Sequence, residues 1–166
     1  MRTLYLAAGC FWGTEAFFAQ MKGVISTTCG YANGNIDHPF YEDLKSGRAT
    51  HAEAVKVVFD EMILGLDKLL SYYLSIIDPY AFNHQGEDYG LQYRTGVYWE
   101  EKKLEPDILT FFHNKEKEMG NQPFAIELMK LKNFFPAEEY HQNYLRKHPG
   151  GYCHIHLGAI RKEDRK

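Results

Sequence analysis

Apolar residues alternate along the start of this chain, with Leu4 and Leu6 set against Thr3, Tyr5 and Ala7, and the period of two predicts a strand over Thr3–Ala8. A helix is predicted from about Phe11 to Lys22, stopped by Gly23. Val24–Tyr31 returns to strand and closes at Asn33-Gly34, a turn dipeptide. Residues 35–50 read as loop, and His51–Phe59 as a strand with Glu53, Val55, Val57 and Phe59 on one face. Leu66, Leu69, Leu70, Tyr73, Leu74 and Ile77 then form one helical stripe. After a loop over 79–92, Tyr93–Trp99 is again a strand. Strand-helix-strand-strand-helix-strand is the order of the split βαβ, ferredoxin-like unit. The expected fold is therefore α+β: a two-layer sandwich with helices on one face of a mixed sheet. Beyond it come a helix near Asp107–Met119, a strand over Phe124–Leu131, a helix over Ala137–Lys147, and a loop-rich C-terminal segment around Gly150-Gly151.

No repeat, linker or low-complexity stretch interrupts the 166 residues, so residues 1–166 are expected to form a single domain. A chain of this length buries roughly 70% of the surface its unfolded form exposes, and needs no disulfide or metal staple. A net charge of -3 argues against a protein whose main work is gripping nucleic acid or anionic membrane. No apolar run approaches a membrane span. The N-terminal alternation reads as a strand rather than a signal peptide, and three cysteines at 10, 29 and 153 are not a secreted framework. The expected setting is the reducing cytoplasm, where a thiol matters as a reagent.

Cys10 falls between a strand end and a helix start, in Ala-Gly-Cys-Phe-Trp-Gly. Unpaired N–H groups and the positive end of a helix dipole favour thiolate there. Gly9 and Gly13 leave room for another molecule's sulfur, and Phe11 and Trp12 would wall the reactive atom. The competing reading is a small buried core residue, the usual fate of a free cysteine. Glu53 shares a face with Val55, Val57 and Phe59, where burial would raise its pKa and keep it protonated. A strand-end carboxylate turned to solvent is the alternative.

Gly-Cys-Phe-Trp-Gly at 9–13 resembles the active-site signature of the peptide methionine sulfoxide reductase A family. Thr50-His-Ala-Glu-Ala-Val55, Gly86-Glu-Asp-Tyr-Gly-Leu-Gln-Tyr-Arg94, Ala137-Glu-Glu-Tyr-His-Gln142 and Gly151-Tyr-Cys153 resemble further blocks of that family, in its order. The resemblance implies reduction of methionine S-sulfoxide, free or in proteins, with Cys10 as nucleophile and Glu53 protonating the sulfoxide oxygen. Phe11 and Trp12 would cradle the substrate methyl. Tyr41 and Tyr93 would hydrogen-bond the oxygen, and Asp88 would orient water and substrate. A sulfenic acid on Cys10 would be resolved as a disulfide by Cys153, on a flexible Pro149-Gly150-Gly151 approach. Thioredoxin or another dithiol would reduce that disulfide directly, since no cysteine follows Cys153. No cofactor is implied, and a monomer is expected.

Thr50, Glu87 and Leu91 depart from the family's usual residues. Cys29 has no counterpart in the family's pattern and reads as a buried small residue. A metal site built from His148, Cys153, His154 and His156, with His141 nearby, has poor ligand spacing. Two other functions fit parts of the pattern: a Cys–His hydrolase using Cys10, and a non-catalytic module gripping methionine side chains.

Overall fold

Leu4, Leu6 and Ala8 lie on one side of the first strand and Tyr5 and Ala7 on the other, and both sets are buried. Two buried faces on one strand require a layer on each side of the sheet. The computed structural model describes all 166 residues. Its elements are β1 (Arg2–Ala8), α1 (Phe11–Ala19), β2 (Val24–Ala32), α2 (Tyr41–Lys45), β3 (Ala52–Phe59), α3 (Leu66–Ser75), β4 (His84–Gln85), β5 (Asp88–Tyr89), β6 (Thr95–Trp99), α4 (Glu105–Glu118), β7 (Glu127–Lys130), β8 (Phe134–Pro136) and α5 (Tyr144–Lys147), with short 3-10 turns between them.

The main sheet has six strands in the order β7-β6-β1-β3-β2-β8. Neighbours among its central four, β6-β1-β3-β2, are antiparallel, as the split βαβ order requires. β7 joins β6 in parallel and β8 joins β2 antiparallel, so the sheet is mixed. The larger core lies between this sheet and α1, α3 and α4: Phe11, Phe17 and Phe18 meet Leu69, Leu70, Tyr73, Ile108 and Phe112 over Leu4, Leu6, Val55, Val57 and Val97. The other face is a thinner cluster of Tyr5, Ala7, Ala32, Ala52, Ala54 and Tyr98, covered by Met129, Leu131 and Phe134. The expected α+β two-layer architecture stands, with this small cover added behind it.

Several local expectations change. Residues 41–45 form α2 inside the expected loop, because the Asp43 carboxylate accepts the Phe40 N–H at 2.8 Å and so closes the first turn. The expected strand over 124–131 shortens to Glu127–Lys130. Phe134–Pro136, unmarked in the sequence, pairs with Gly30–Ala32 as β8. The helix expected over 137–147 is broken: a 3-10 turn at Glu139–His141 and the short α5 flank Asn143, whose φ of 54° lies in the left-handed region. Tyr93 belongs to a 3-10 turn over Leu91–Tyr93, two residues before β6 begins at Thr95.

α3 is tied to the sheet by one buried phenol. The Tyr73 hydroxyl donates to the Ala7 carbonyl at 2.7 Å and accepts the Gly96 N–H at 3.1 Å. Phenylalanine would keep the ring and leave that N–H without a partner. Tyr73→Phe is expected to cost about 1–3 kcal/mol, read as a lower urea midpoint at unchanged m-value.

Candidate active site

The chain leaves β1 through Gly9, at φ +84°, where a Cβ would meet the Gln85 side chain at 2.8 Å. That turn delivers Cys10 to the N-cap of α1. No side chain caps the helix, so its first N–H groups find other acceptors. The Phe11 N–H donates to Glu53 Oε1 at 3.2 Å, and the Trp12 N–H is directed at the Cys10 sulfur. Glu53 comes from β3, opposite Tyr31 of β2, and is 1% exposed. Its second oxygen, Oε2, accepts a hydrogen bond from Gln92 Nε2 at 2.7 Å.

These surroundings set the protonation states. Burial pushes the Glu53 carboxyl up to about 8, with Asp88 adding a smaller push and the Gln92 and Phe11 donors opposing it. Glu53 is thus a neutral acid near pH 7, as its strand face suggested. Cys10, 8% exposed, departs from expectation. Burial first, and then the Glu53 carboxyl, raise its thiol above the ordinary range and outweigh the Trp12 N–H. The helix start alone does not make a thiolate here. Asp88 and Cys153 are the other groups acting on it, and no histidine is among them.

Tyr41 and Tyr93 stand near each other, and each acts on the other's phenol. Burial raises both phenols above their ordinary value, followed for each by the nearby Glu53 carboxyl, so they remain neutral donors. Glu138 anchors Tyr41: its carboxylate accepts the Tyr41 N–H at 3.0 Å and the Tyr31 hydroxyl at 2.7 Å. Phe11 and Trp12 separate. Phe11 is 0% exposed and packed against Tyr31 and His141, in the core rather than on the open wall beside Cys10. Trp12 is half-buried, stacks on Tyr144 at 3.8 Å, and donates from Nε1 to His141 Nδ1 at 3.0 Å. Burial holds His141 below its ordinary pKa, which keeps that acceptor unprotonated.

The C-terminal segment is held, not loose. Tyr152 donates to Asp88 Oδ2 at 2.9 Å, and His154 Nε2 lies 3.0 Å from the Ala8 carbonyl. Between them Cys153 presses its sulfur into the space that Gly13 leaves open; a Cβ on Gly13 would lie 2.9 Å from it. The glycine-rich approach delivers the thiol, and contacts on both sides then fix it. All three cysteines are free. Cys29 is fully buried, its thiol donating to Glu15 Oε1 at 3.3 Å, as expected of a core residue. Glu15 is itself buried, and desolvation raises its carboxyl. The histidines of the C-terminal run do not gather with Cys153, and no three His, Cys, Asp or Glu side chains converge as a metal-holding group.

Sequence reasoning brought Cys10, Glu53, Tyr41, Asp88, Tyr93 and Cys153 to one place and missed their supports. Gln92 and Glu138 sit inside the recognised blocks, but nothing in their spacing marks them as partners of Glu53 and Tyr41. Tyr152, beside Cys153, was equally unmarked.

A cysteine at a helix start stands beside a buried neutral carboxyl and two neighbouring phenols, and together they form a candidate thiol-centred site. The profile of the family described as "Peptide methionine sulfoxide reductase" matches residues 2–166. A protein of Clostridium botulinum (strain Okra / Type B1), described as "Peptide methionine sulfoxide reductase MsrA", is 47% identical over 159 residues, 95% of this chain and 99% of its own length. Reduced Mxr1 of Saccharomyces cerevisiae superposes with a TM-score of 0.85 at 32% identity, covering 94% of this chain and 91% of the yeast one. Methionine sulfoxide reductase A of Corynebacterium diphtheriae gives 0.80 at 30% identity, covering 99% and 83%. The chain belongs to the peptide methionine sulfoxide reductase family, and the Clostridium botulinum relative places it beside proteins named MsrA.

Gly13→Ala tests the seat of Cys153. The added Cβ is expected to displace the sulfur and make Cys153 several-fold faster to alkylate with iodoacetamide. Mass spectrometry reads this, with buried Cys29 remaining unmodified as the internal control.

Proposed function

We propose that the chain is a single catalytic domain, residues 1–166, that reduces methionine S-sulfoxide, free or in proteins, and so repairs oxidised proteins. The observation that carries this is Glu53: a carboxyl 1% exposed, neutral near pH 7, bonded to the first turn of the helix that Cys10 caps. Sulfoxide reduction needs a sulfur nucleophile and an acid for the departing oxygen, and these two groups supply both.

Cys10 Sγ attacks the sulfoxide sulfur while Glu53 protonates the oxygen, and the thiol proton returns to the Glu53 carboxylate. A bond forms between the two sulfurs, and the S–O bond becomes S–OH. Transfer of the hydroxyl to Cys10 releases methionine and leaves a sulfenic acid. Cys153 then attacks that sulfur and water departs, so one sulfoxide and two thiols yield methionine, one disulfide and water. Tyr41 and Tyr93 donate to the sulfoxide oxygen, and Asp88 orients water and the substrate. The half-buried ring of Trp12 forms the outer wall for the methyl, and Phe11 backs it from the core. Thioredoxin, or another dithiol, recycles the enzyme by attacking the Cys10–Cys153 disulfide. The protein works as a cytoplasmic monomer with no prosthetic group, nucleic acid or membrane partner. No helix is long and apolar enough to cross a membrane.

A free-thiol titration before and after stoichiometric methionine sulfoxide tests the scheme. The wild type is expected to lose two thiols per methionine formed. Cys153→Ser should lose one, as a sulfenic acid that dimedone traps, because Cys29 is fully buried with its thiol bonded to Glu15. No loss from the wild type sinks the proposal. Glu53→Gln is expected to lower kcat by about 10²–10⁴-fold. The acid form of Glu53 exists below its pKa, so kcat/KM should fall as pH rises through about 8, measured with a dithiol as reductant.

A further inference from the structure

We propose that Gln92 is a positioning residue for the reaction, holding the Glu53 carboxyl by its Oε2 atom and serving as the donor that receives negative charge when Glu53 gives up its proton. This rests on the reading of Glu53 as the acid. The geometry is specific. Glu53 has two hydrogen-bond donors: the Phe11 N–H, on Oε1 at 3.2 Å, and the Gln92 amide, on Oε2 at 2.7 Å. The first belongs to the backbone of the helix that Cys10 caps, so it ties the acid to the nucleophile. The second is a side chain, and it is the shorter bond.

Gln92 reaches Glu53 because Leu91–Tyr93 is a 3-10 turn, which sets successive side chains about a third of a turn apart. Gln92 turns in toward Glu53, while Leu91 faces a small cleft beside Phe82, Asn83 and Arg94. The turn is locked from below. Arg94 Nη1 donates to the carbonyls of Leu91 and Thr50 at 3.0 and 2.9 Å, and its Nε pairs with Glu127 at 2.8 Å. The amide is thereby aimed by a fixed backbone, as a positioning residue must be.

The charged and titratable groups facing Glu53 make such a donor necessary. Cys10 on α1, Cys29 and Tyr31 on β2, Tyr41 on α2, and Asp88 and Tyr93 on the segment before β6 all lie within its electrostatic reach. Each of them is neutral or negative. No cation is among them, so the carboxylate left after proton transfer is stabilised only by the Phe11 N–H and the Gln92 amide. A hydrogen bond to a charged acceptor is stronger than the same bond to a neutral one. Gln92 therefore favours the ionised form, which lowers the pKa of the acid and lowers the barrier to releasing its proton. Burial acts in the opposite direction, and the balance of the two keeps Glu53 protonated at rest yet able to donate.

The test uses Gln92→Met, which keeps the length of the side chain and removes the donor, and Gln92→Glu, which puts a second carboxyl against Glu53. The ionisation of Glu53 is followed directly through its protonated carboxyl C=O infrared band, assigned by its loss in Glu53→Gln. The midpoint is expected to rise by about 0.5–1 pH unit in Gln92→Met and further in Gln92→Glu, where like charges oppose ionisation. The alkaline limb of kcat/KM should follow in the same order. In Gln92→Met, kcat should fall about tenfold with KM within twofold of wild type. A residue that merely supported the fold would move KM or the thermal midpoint and leave the infrared midpoint in place. An unchanged midpoint in Gln92→Met, with Glu53→Gln inactive, overturns the role of Gln92 alone. Full activity in Glu53→Gln overturns the acid and Gln92 together.

Discussion

A carboxyl group removed from water is the constraint around which this molecule is arranged. Glu53 lies on a central strand, 1% exposed, beside Val55 and Val57 in the sheet's main core. Burying it ionised and unpaired would cost several kcal/mol. The fold meets that cost by keeping the group neutral and giving each oxygen a donor. One donor is a helix N–H that needed an acceptor in any case, since Cys10 offers α1 no side-chain cap. The Glu53 carboxyl and the start of α1 thus satisfy each other. This bond, with the packing of Phe11, Phe17 and Phe18, ties α1 to the sheet and brings Cys10 close to Glu53.

The remaining parts are arranged outward from that pair. β2 presents Tyr31 opposite Glu53, and the Tyr31 hydroxyl holds Glu138, which holds the start of α2 and so Tyr41. The Arg94 clamp fixes the turn that carries Gln92 and Tyr93. The segment Tyr152–His154 is then pinned at Asp88 and Ala8. Asp88, placed by resemblance at the substrate, is occupied by Tyr152 in the resting protein. A substrate that engages Asp88 must compete with the contact that holds the Cys153 segment in place.

The sequence was most legible where one physical rule acted alone. Alternation in β1 and β3 and the apolar stripe of α3 gave the ferredoxin-like order, because a buried face imposes its period directly. The position of Cys10 between strand and helix was equally readable. What escaped depended on partners distant in the chain. α2 forms because of one carboxylate cap, β8 because β2 has a free edge, and the break at Asn143 because Glu15, 128 residues earlier, accepts its N–H. The neutral thiol of Cys10 escaped for the same reason. A helix start predicts thiolate locally, but burial and a carboxyl from another strand decide the outcome. Gln92 and Glu138 lay within recognisable blocks, yet their roles exist only once β3 and α2 are placed beside them.

The raised thiol has a consequence for selectivity among oxidants. Hydrogen peroxide and simple electrophiles react with thiolates, and a sulfur kept protonated and largely shielded offers them little to attack. Peroxide brings no sulfoxide oxygen to take a proton from Glu53, whereas the substrate of the proposed reaction would present one to that acid and the two phenols. A protein that acts on oxidised methionine works where such oxidants are abundant. With its thiol raised by burial, Cys10 would stay protonated among them until the proposed substrate binds.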